Sequence, residues 1–259
     1  MRCHNSGLVR LKLCGVMLAC WTVLTVADQA WAVQRETHEE KEVHLKQQAK
    51  GGLFQKWTFD RDQPNEPPAG FAGVAVGGGR PTAWSIQADA EAPSPPHVVR
   101  VSADCDTESC YQLLLATGFQ YEYPDLTVRF RALEGTAGKG GVTFGAQDAA
   151  HFYAAVVDLS ASTAHVIRIM DGKEQVLAET PIVLKPVAWH SLRVQRNTII
   201  SKDFIEMFVD GILVLSVEDQ TLGLGQVGLL AQGTSSLSFD TFHAVPLFSH
   251  RPLSAPPAY

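Results

Sequence analysis

The sequence predicts an all-β protein, an antiparallel two-sheet β-sandwich. Three observations carry that prediction. From Leu53 onward apolar residues recur with a period of two, and no helix-period segment longer than about ten residues follows Gly51. The strands so marked number roughly a dozen or more, at spacings of about 8–12 residues, with no crossover helices between them. Asp171-Gly172 and Asp210-Gly211 each sit between apolar runs. A two-residue type I′ hairpin needs positive φ at both central positions, which Asp-Gly supplies.

Taken in order, the chain opens with Arg2, Arg10 and Lys12, then the apolar run LCGVMLACWTVLTVA (13–27) and the small-x-small site AWA (30–32). This predicts a secretory signal over residues 1–32 and a secreted or periplasmic protein. The run is shorter than the roughly 20 residues a membrane span needs, so no span is expected in the mature chain. An uncleaved anchor and a lipoprotein attached at Cys20 are the alternatives. Residues 33–52 begin VQRETHEEKEVHLKQQAK, a charged spacer. PNEPPAG (64–70) and VGGGRP (76–81) are loops by their Pro and Gly content.

The strand DLTVRFRAL (125–133) sets Leu126, Val128 and Phe130 against Thr127, Arg129 and Arg131. WHSLRVQRN (189–197) sets Leu192 and Val194 against Ser191, Arg193 and Gln195. Each predicts one face in a core and one wet. FIEMFVDGILVLSV (204–217) is apolar on both faces, which fits the middle of stacked sheets. The sandwich is expected over 53–246, large enough to fold without a metal or a disulfide. A Pro-rich tail over 247–259 is expected to be disordered.

The formal net charge is −6. Cleavage after Ala32 leaves 18 basic against 26 acidic side chains. Nucleic acid is not an expected partner, because phosphates demand a basic surface. Cleavage also removes Cys3, Cys14 and Cys20, and leaves Cys105 and Cys110. An even count in an oxidising compartment predicts one disulfide between them.

That pair brackets DCDTESC (104–110), where Asp104, Asp106 and Glu108 alternate. On a strand they would share a face, and a retaining glycosidase needs two carboxyls about 5 Å apart. The stretch falls between the strands HVVRVSA and YQLLLATG, however, and a disulfide would bend it. A loop pinned by a disulfide is the expectation. A calcium-type oxygen site and a catalytic triplet are the alternatives. Asp148, beside Gln147 at a hairpin, reads as a turn residue. The mature chain has no H-x-H, H-x₃-H or C-x₂-C, so no metal site is assigned, and no cofactor or catalytic residue either.

The order of WTFDRD, PAGF, APSPPHVVRV, GGVTFGAQD with HFYAAVVDL, WHSLRV, FVDGILVLSVED and GQVGLLAQGTSSLSFDTF resembles the concanavalin A-like lectin/glucanase superfamily. More narrowly it resembles bacterial secreted domains near the 3-keto-disaccharide hydrolase (DUF1080-like) and laminin-G-like families. The resemblance implies a jelly-roll sandwich over about residues 53–246, in which Trp189, Gly211 and Gly228 serve packing and turns. It also implies two arginines that this chain replaces with Gly145 and Val156. The glucanases of this fold carry E-x-D-x-E-type carboxylates, and DCDTESC copies only their period.

Sugar rings need aromatic faces flanked by polar side chains. The wet faces offer Arg129, Arg131, Gln147, Tyr153 and Arg193 as ligand-binding candidates, with Gln195 beside them. Trp57, Trp84 and Trp189 are expected in the core, and Tyr121 and Tyr123 on a rim. The competing reading of the arginines is a solvated face with cross-strand pairs. The expected function is non-catalytic recognition of a carbohydrate or other extracellular polymer. The alternatives are a glycoside hydrolase or lyase acting on (3-keto-)disaccharides or polysaccharides, and a laminin-G-like protein-interaction module.

Overall fold

The structure is a computed structural model that describes residues 53–78, 83–103, 105, 107, 109–134, 138–185 and 187–247. The expected signal and spacer over residues 1–52, the tail beyond Leu247 and the three carboxylates Asp104, Asp106 and Glu108 lie outside the described residues.

Fifteen strands and no helix make up the described chain. One sheet is built from β1 (Gln55–Trp57), β3 (Ser85–Ala88), β4 (His97–Ser102), β6 (Pro124–Ala132), β11 (His190–Ile199), β12 (Lys202–Val209), β13 (Ile212–Glu218) and β15 (Ser236–Pro246). Its order is β13-β12-β11-β6-β15-β4-β3, with β1 also on β15. The other sheet comprises β2 (Phe71–Val76), β5 (Tyr111–Ala116), β7 (Lys139–Asp148), β8 (His151–Asp158), β9 (Thr163–Met170), β10 (Lys173–Pro181) and β14 (Gln226–Gln232). Its order is β10-β9-β8-β7-β14-β5-β2. All pairings are antiparallel. The chain is therefore the antiparallel two-sheet sandwich its alternation predicts.

The period-two faces meet between the sheets. Leu126, Val128 and Phe130 of β6, Leu192 and Val194 of β11, and Phe239 of β15 pack against Val142 and Phe144 of β7 and Leu229 of β14. Both Asp-Gly dipeptides turn as expected: Met170 pairs with Lys173 and Val209 with Ile212, and φ is positive at Asp171, Gly172, Asp210 and Gly211. Gly228 is required by a close approach, since a Cβ there would stand 2.1 Å from the Leu114 carbonyl oxygen of the neighbouring strand.

One placement differs from the sequence reading. FIEMFVDGILVLSV is not central, because β13 is the outermost strand of its sheet and Ile212 and Leu213 are 68% and 49% exposed. The strands apolar on both faces and buried on both are β5, β8 and β14 of the other sheet. Their outward residues, Leu113, Phe152, Ala154, Val156 and Leu230 among them, form a second buried apolar cluster. Tyr111 of β5 meets Phe152 edge-on, with ring centroids 5.9 Å apart, three strands away. Its hydroxyl donates to Glu174 of β10, five strands away. Contacts across so many strands require this sheet to coil strongly, as twisted sheets do.

Candidate functional site

The seven-stranded sheet turns an apolar cluster outward, and the eight-stranded sheet turns a polar one. Cross-strand register fixes the polar array, since residues opposite each other on adjacent strands share a face. In one row Trp189 precedes β11, Arg131 lies opposite Ser238, and Ser238 opposite Arg100. In the next row Arg129 of β6 stands between Ser191 of β11 and Asp240 of β15. Beyond it come His243, Thr127, Arg193 and Phe208, on β15, β6, β11 and β12. Last come Asp125, Gln195 and Glu206.

Three arginines of this face, Arg193, Arg131 and Arg100, are held by carboxylates. Arg193 grips Asp125 with a fork, Nε to Oδ1 at 2.8 Å and Nη2 to Oδ2 at 2.6 Å, and Gln195 donates to the same Oδ2 at 2.9 Å. The Arg193 guanidinium lies over the Phe208 ring, 5.8 Å from its centroid, and the side chain is 45% exposed. Arg131 pairs with Asp89 and with Glu91, and lies 4.9 Å over the Trp189 ring. Asp89 is also 3.8 Å from Arg100, which donates to Ser238 Oγ at 3.3 Å. Arg129 donates to the Trp189 carbonyl at 3.5 Å. Its Nε and the Trp189 indole N–H are buried and have no partner among the described residues.

Beside Arg129 two carboxylates meet at one serine. Ser94 donates its backbone N–H to Asp240 Oδ2 at 2.6 Å and its hydroxyl to Asp60 Oδ2 at 2.9 Å. Burial is the main force that pushes Asp240 up to about 6. The bonds from Ser94 and Thr241 oppose that rise, the charge of Asp60 adds to it, and Arg129 opposes it.

The other predicted site residues lie elsewhere. Gln147 is exposed at the end of β7. Next to it Asp148 accepts the Ala150 N–H at 2.7 Å, as a turn residue does, and also His151 Nδ1 at 2.9 Å. These bonds, the backbone one foremost, hold the Asp148 carboxyl below its usual range. The bonds to Asp148 and Asp171 hold the His151 imidazole above its own. The placement of Tyr153 on a wet face is overturned. Its ring is fully buried between the sheets, stacked on Phe144, and its hydroxyl donates to Asp219 and accepts the Leu222 N–H at 2.9 Å. Burial and the Asp219 bond push it up to about 12.

That tyrosine belongs to a buried polar network which sequence reading missed. Arg196, 2% exposed, lies 5.7 Å from the rings of both Tyr123 and Tyr153 and donates to Asp203 at 2.7 Å. Arg168 reaches Asp219, Thr221 and Gln175. These bonds, with Arg196 to the Gly223 carbonyl, fasten residues 219–225 between the two sheets. The signal available was the core-facing parity of Arg196 with Leu192 and Val194. Tyr121 is not on a rim either, because it is buried with its hydroxyl on the Leu53 carbonyl at 2.8 Å. Trp84 is buried and Trp57 packs against the core, while Trp189 is half-buried on the outer face. Cys105 and Cys110 are joined in a disulfide with Cα atoms 5.8 Å apart.

No family model matches the chain, and no curated protein matches it in sequence. Its fold is similar to the carbohydrate-binding module CBM66 from Bacillus subtilis, with a TM-score of 0.54 and 17% identity over 71% of this chain and 98% of that one. It is also similar to a Bacillus subtilis protein with a galectin-like fold, with a TM-score of 0.49 and 10% identity over 75% of this chain and 100% of that one. For the Bacteroides ovatus xyloglucan GH43B protein the TM-score is 0.47, at 13% identity over 74% of this chain and 39% of that one. At these identities the likeness is one of fold alone, and the first of them agrees with the antiparallel two-sheet sandwich described above.

Proposed function

We propose that this chain is a secreted or periplasmic β-sandwich module that recognises a glycan without cleaving it, through the outer face of its eight-stranded sheet. The observation that carries this reading is the array of Arg129, Arg131, Arg193, Gln195 and Trp189 on one sheet face. The array combines guanidinium and amide hydrogen-bonding groups with the Trp189 indole, over which Arg131 lies, on a rigid scaffold. The carbohydrate-binding module that shares its fold supports it. Gln147, exposed on the other sheet, and Tyr153, buried, take no part.

The test is depletion of the purified chain by a panel of insoluble and soluble polysaccharides, with protein lost and sugar released both assayed. Depletion without release is the expected result. Arg193→Ala is expected to weaken the depletion while leaving the melting temperature within a few degrees. Absence of depletion by every polymer would refute the reading.

A second reading, a glycoside hydrolase, is favoured by one observation: Asp60 and Asp240 share Ser94, and Asp240 is protonated more readily than an ordinary carboxylate. Sugar release that is abolished by Asp240→Asn in a folded variant would establish it.

A further inference from the structure

We propose that the recognition face selects uncharged glycans and rejects acidic ones, and that Asp89, Asp125 and Asp240 set this selectivity by neutralising its arginines. The inference rests on the reading that this face binds a glycan, and adds the chemical class.

An arginine that recruits an anionic ligand must present an unspent charge, as arginines do where they grip carboxylate or phosphate. Here the guanidiniums of Arg193, Arg131 and Arg100 are already paired with carboxylates. The Arg193 fork, the part of the group that matches a uronate carboxylate, is filled by Asp125 at 2.8 and 2.6 Å. Arg131 and Arg100 share Asp89, whose side chain is only 7% exposed, and Arg131 also reaches Glu91. Arg129 faces Asp240 in register, and the two charges act on each other. Glu206, one strand beyond Gln195, adds a further negative charge to the same face, and accepts from Asn197 at 3.2 Å. Asp60 adds another beside Asp240. Around Arg193 a uronate or sulfate ester would thus meet Asp125 and Glu206 before any free cation. The whole chain, at −6, repels it as well.

Neutral sugars face no such obstacle. A guanidinium has five N–H donors and a carboxylate about four lone-pair sites, so the Arg193–Asp125 pair keeps donors and acceptors side by side after its fork is made. That pairing suits the vicinal hydroxyls of an uncharged sugar, each of which both donates and accepts. Gln195 on one side and the half-exposed Leu213 near Phe208 on the other supply a further polar contact and an apolar one.

The test is affinity electrophoresis of the full chain in gels containing neutral polymers (β-glucan, xylan, arabinan, fructan) or acidic ones (polygalacturonate, alginate, a sulfated galactan). It is repeated by calorimetry at about 50 and about 500 mM NaCl, the latter enough to screen charges beyond a few ångströms. Retardation by at least one neutral polymer, with affinity changing less than about twofold across the salt range, and no retardation by acidic ones, is expected. Asp125→Asn leaves the Arg193 charge unanswered. It is expected to gain salt-sensitive binding to the acidic polymers, about tenfold at low salt, and to lose neutral binding. If Asp125→Asn does not fold, Glu206→Gln is expected to shift the preference in the same direction. Salt-sensitive wild-type binding to acidic polymers would overturn the selectivity while leaving glycan recognition standing. Binding to no polymer of either class would remove both.

Discussion

Asp240 is a residue whose environment works against its charge. It is fully buried in the face of β15, next to Asp60 across Ser94, and its carboxyl sits at about 6 instead of 3.8. The folded chain therefore holds this proton more tightly than the unfolded one. The resulting stability is present in full below the unfolded value near 4 and is lost as pH rises through about 6. Thermal melts should reveal this as a slope. Between about pH 4.5 and pH 7, wild type should lose about 2 kcal/mol more stability than Asp240→Asn, because the amide does not titrate. Equal losses in the two proteins would refute the assignment. Gly228 tests packing at the same scale. Gly228→Ala forces a Cβ to within 2.1 Å of a backbone oxygen that cannot move without the strand, so denaturant melts should show a loss of about 3 kcal/mol.

At the scale of elements, three two-residue hairpins differ in how well their sequences suit them. Asp171-Gly172 and Asp210-Gly211 are matched to positive φ. The turn between β11 and β12 is not. Ile199 pairs with Lys202, so Ile200 and Ser201 carry φ of 48° and 68°, and a β-branched side chain stands in the left-handed region. No glycine or asparagine announces that turn, and the alternation of the two flanking strands is what forces it. Ile200 is 93% exposed, so its replacement loses no packing. The pair Ile200→Asn with Ser201→Gly should raise stability by about 1 kcal/mol, read as a higher melting temperature. The strands around this turn also place Arg196 between the sheets. Its pair with Asp203, supported by Thr198 at 2.6 Å, is buried on both sides. Asp203→Asn should cost about 3 kcal/mol by leaving that guanidinium unanswered. A double change to Arg196→Met with Asp203→Leu should recover part of the loss.

At the scale of the molecule, the disulfide closes a loop of sequence separation 5 next to β5. Cys105→Ser with Cys110→Ser should therefore cost only about 2 kcal/mol, in a domain whose two apolar clusters hold it independently. Retention of a cooperative melt by the double variant is the expected outcome.

How much was legible follows from burial. β6 and β11 have one wet face, so their alternation names both the core residues and the arginines that the structure brings together. β8 has none. Phe152 and Tyr153 are equally buried on opposite faces, and period two cannot say which way either points or that either is hidden. Trp189 misleads in the other direction. A large aromatic is ordinarily core, yet Trp189 has the outward parity of Ser191 and Arg193, and Arg131 covers the ring from outside.

The sequence by itself determined the all-β class, the two Asp-Gly hairpins and the inward faces of the half-buried strands. Each is written in neighbours a few positions apart, where side-chain alternation and turn chemistry act. Only the tertiary structure decided which sheet turns a polar face outward, that β13 lies at an edge, that Arg193, Arg131 and Arg100 each meet a carboxylate, and that Asp60 and Asp240 meet at Ser94. These contacts join residues up to 146 positions apart. They depend on how strands are ordered and how far a sheet coils, which no local pattern encodes.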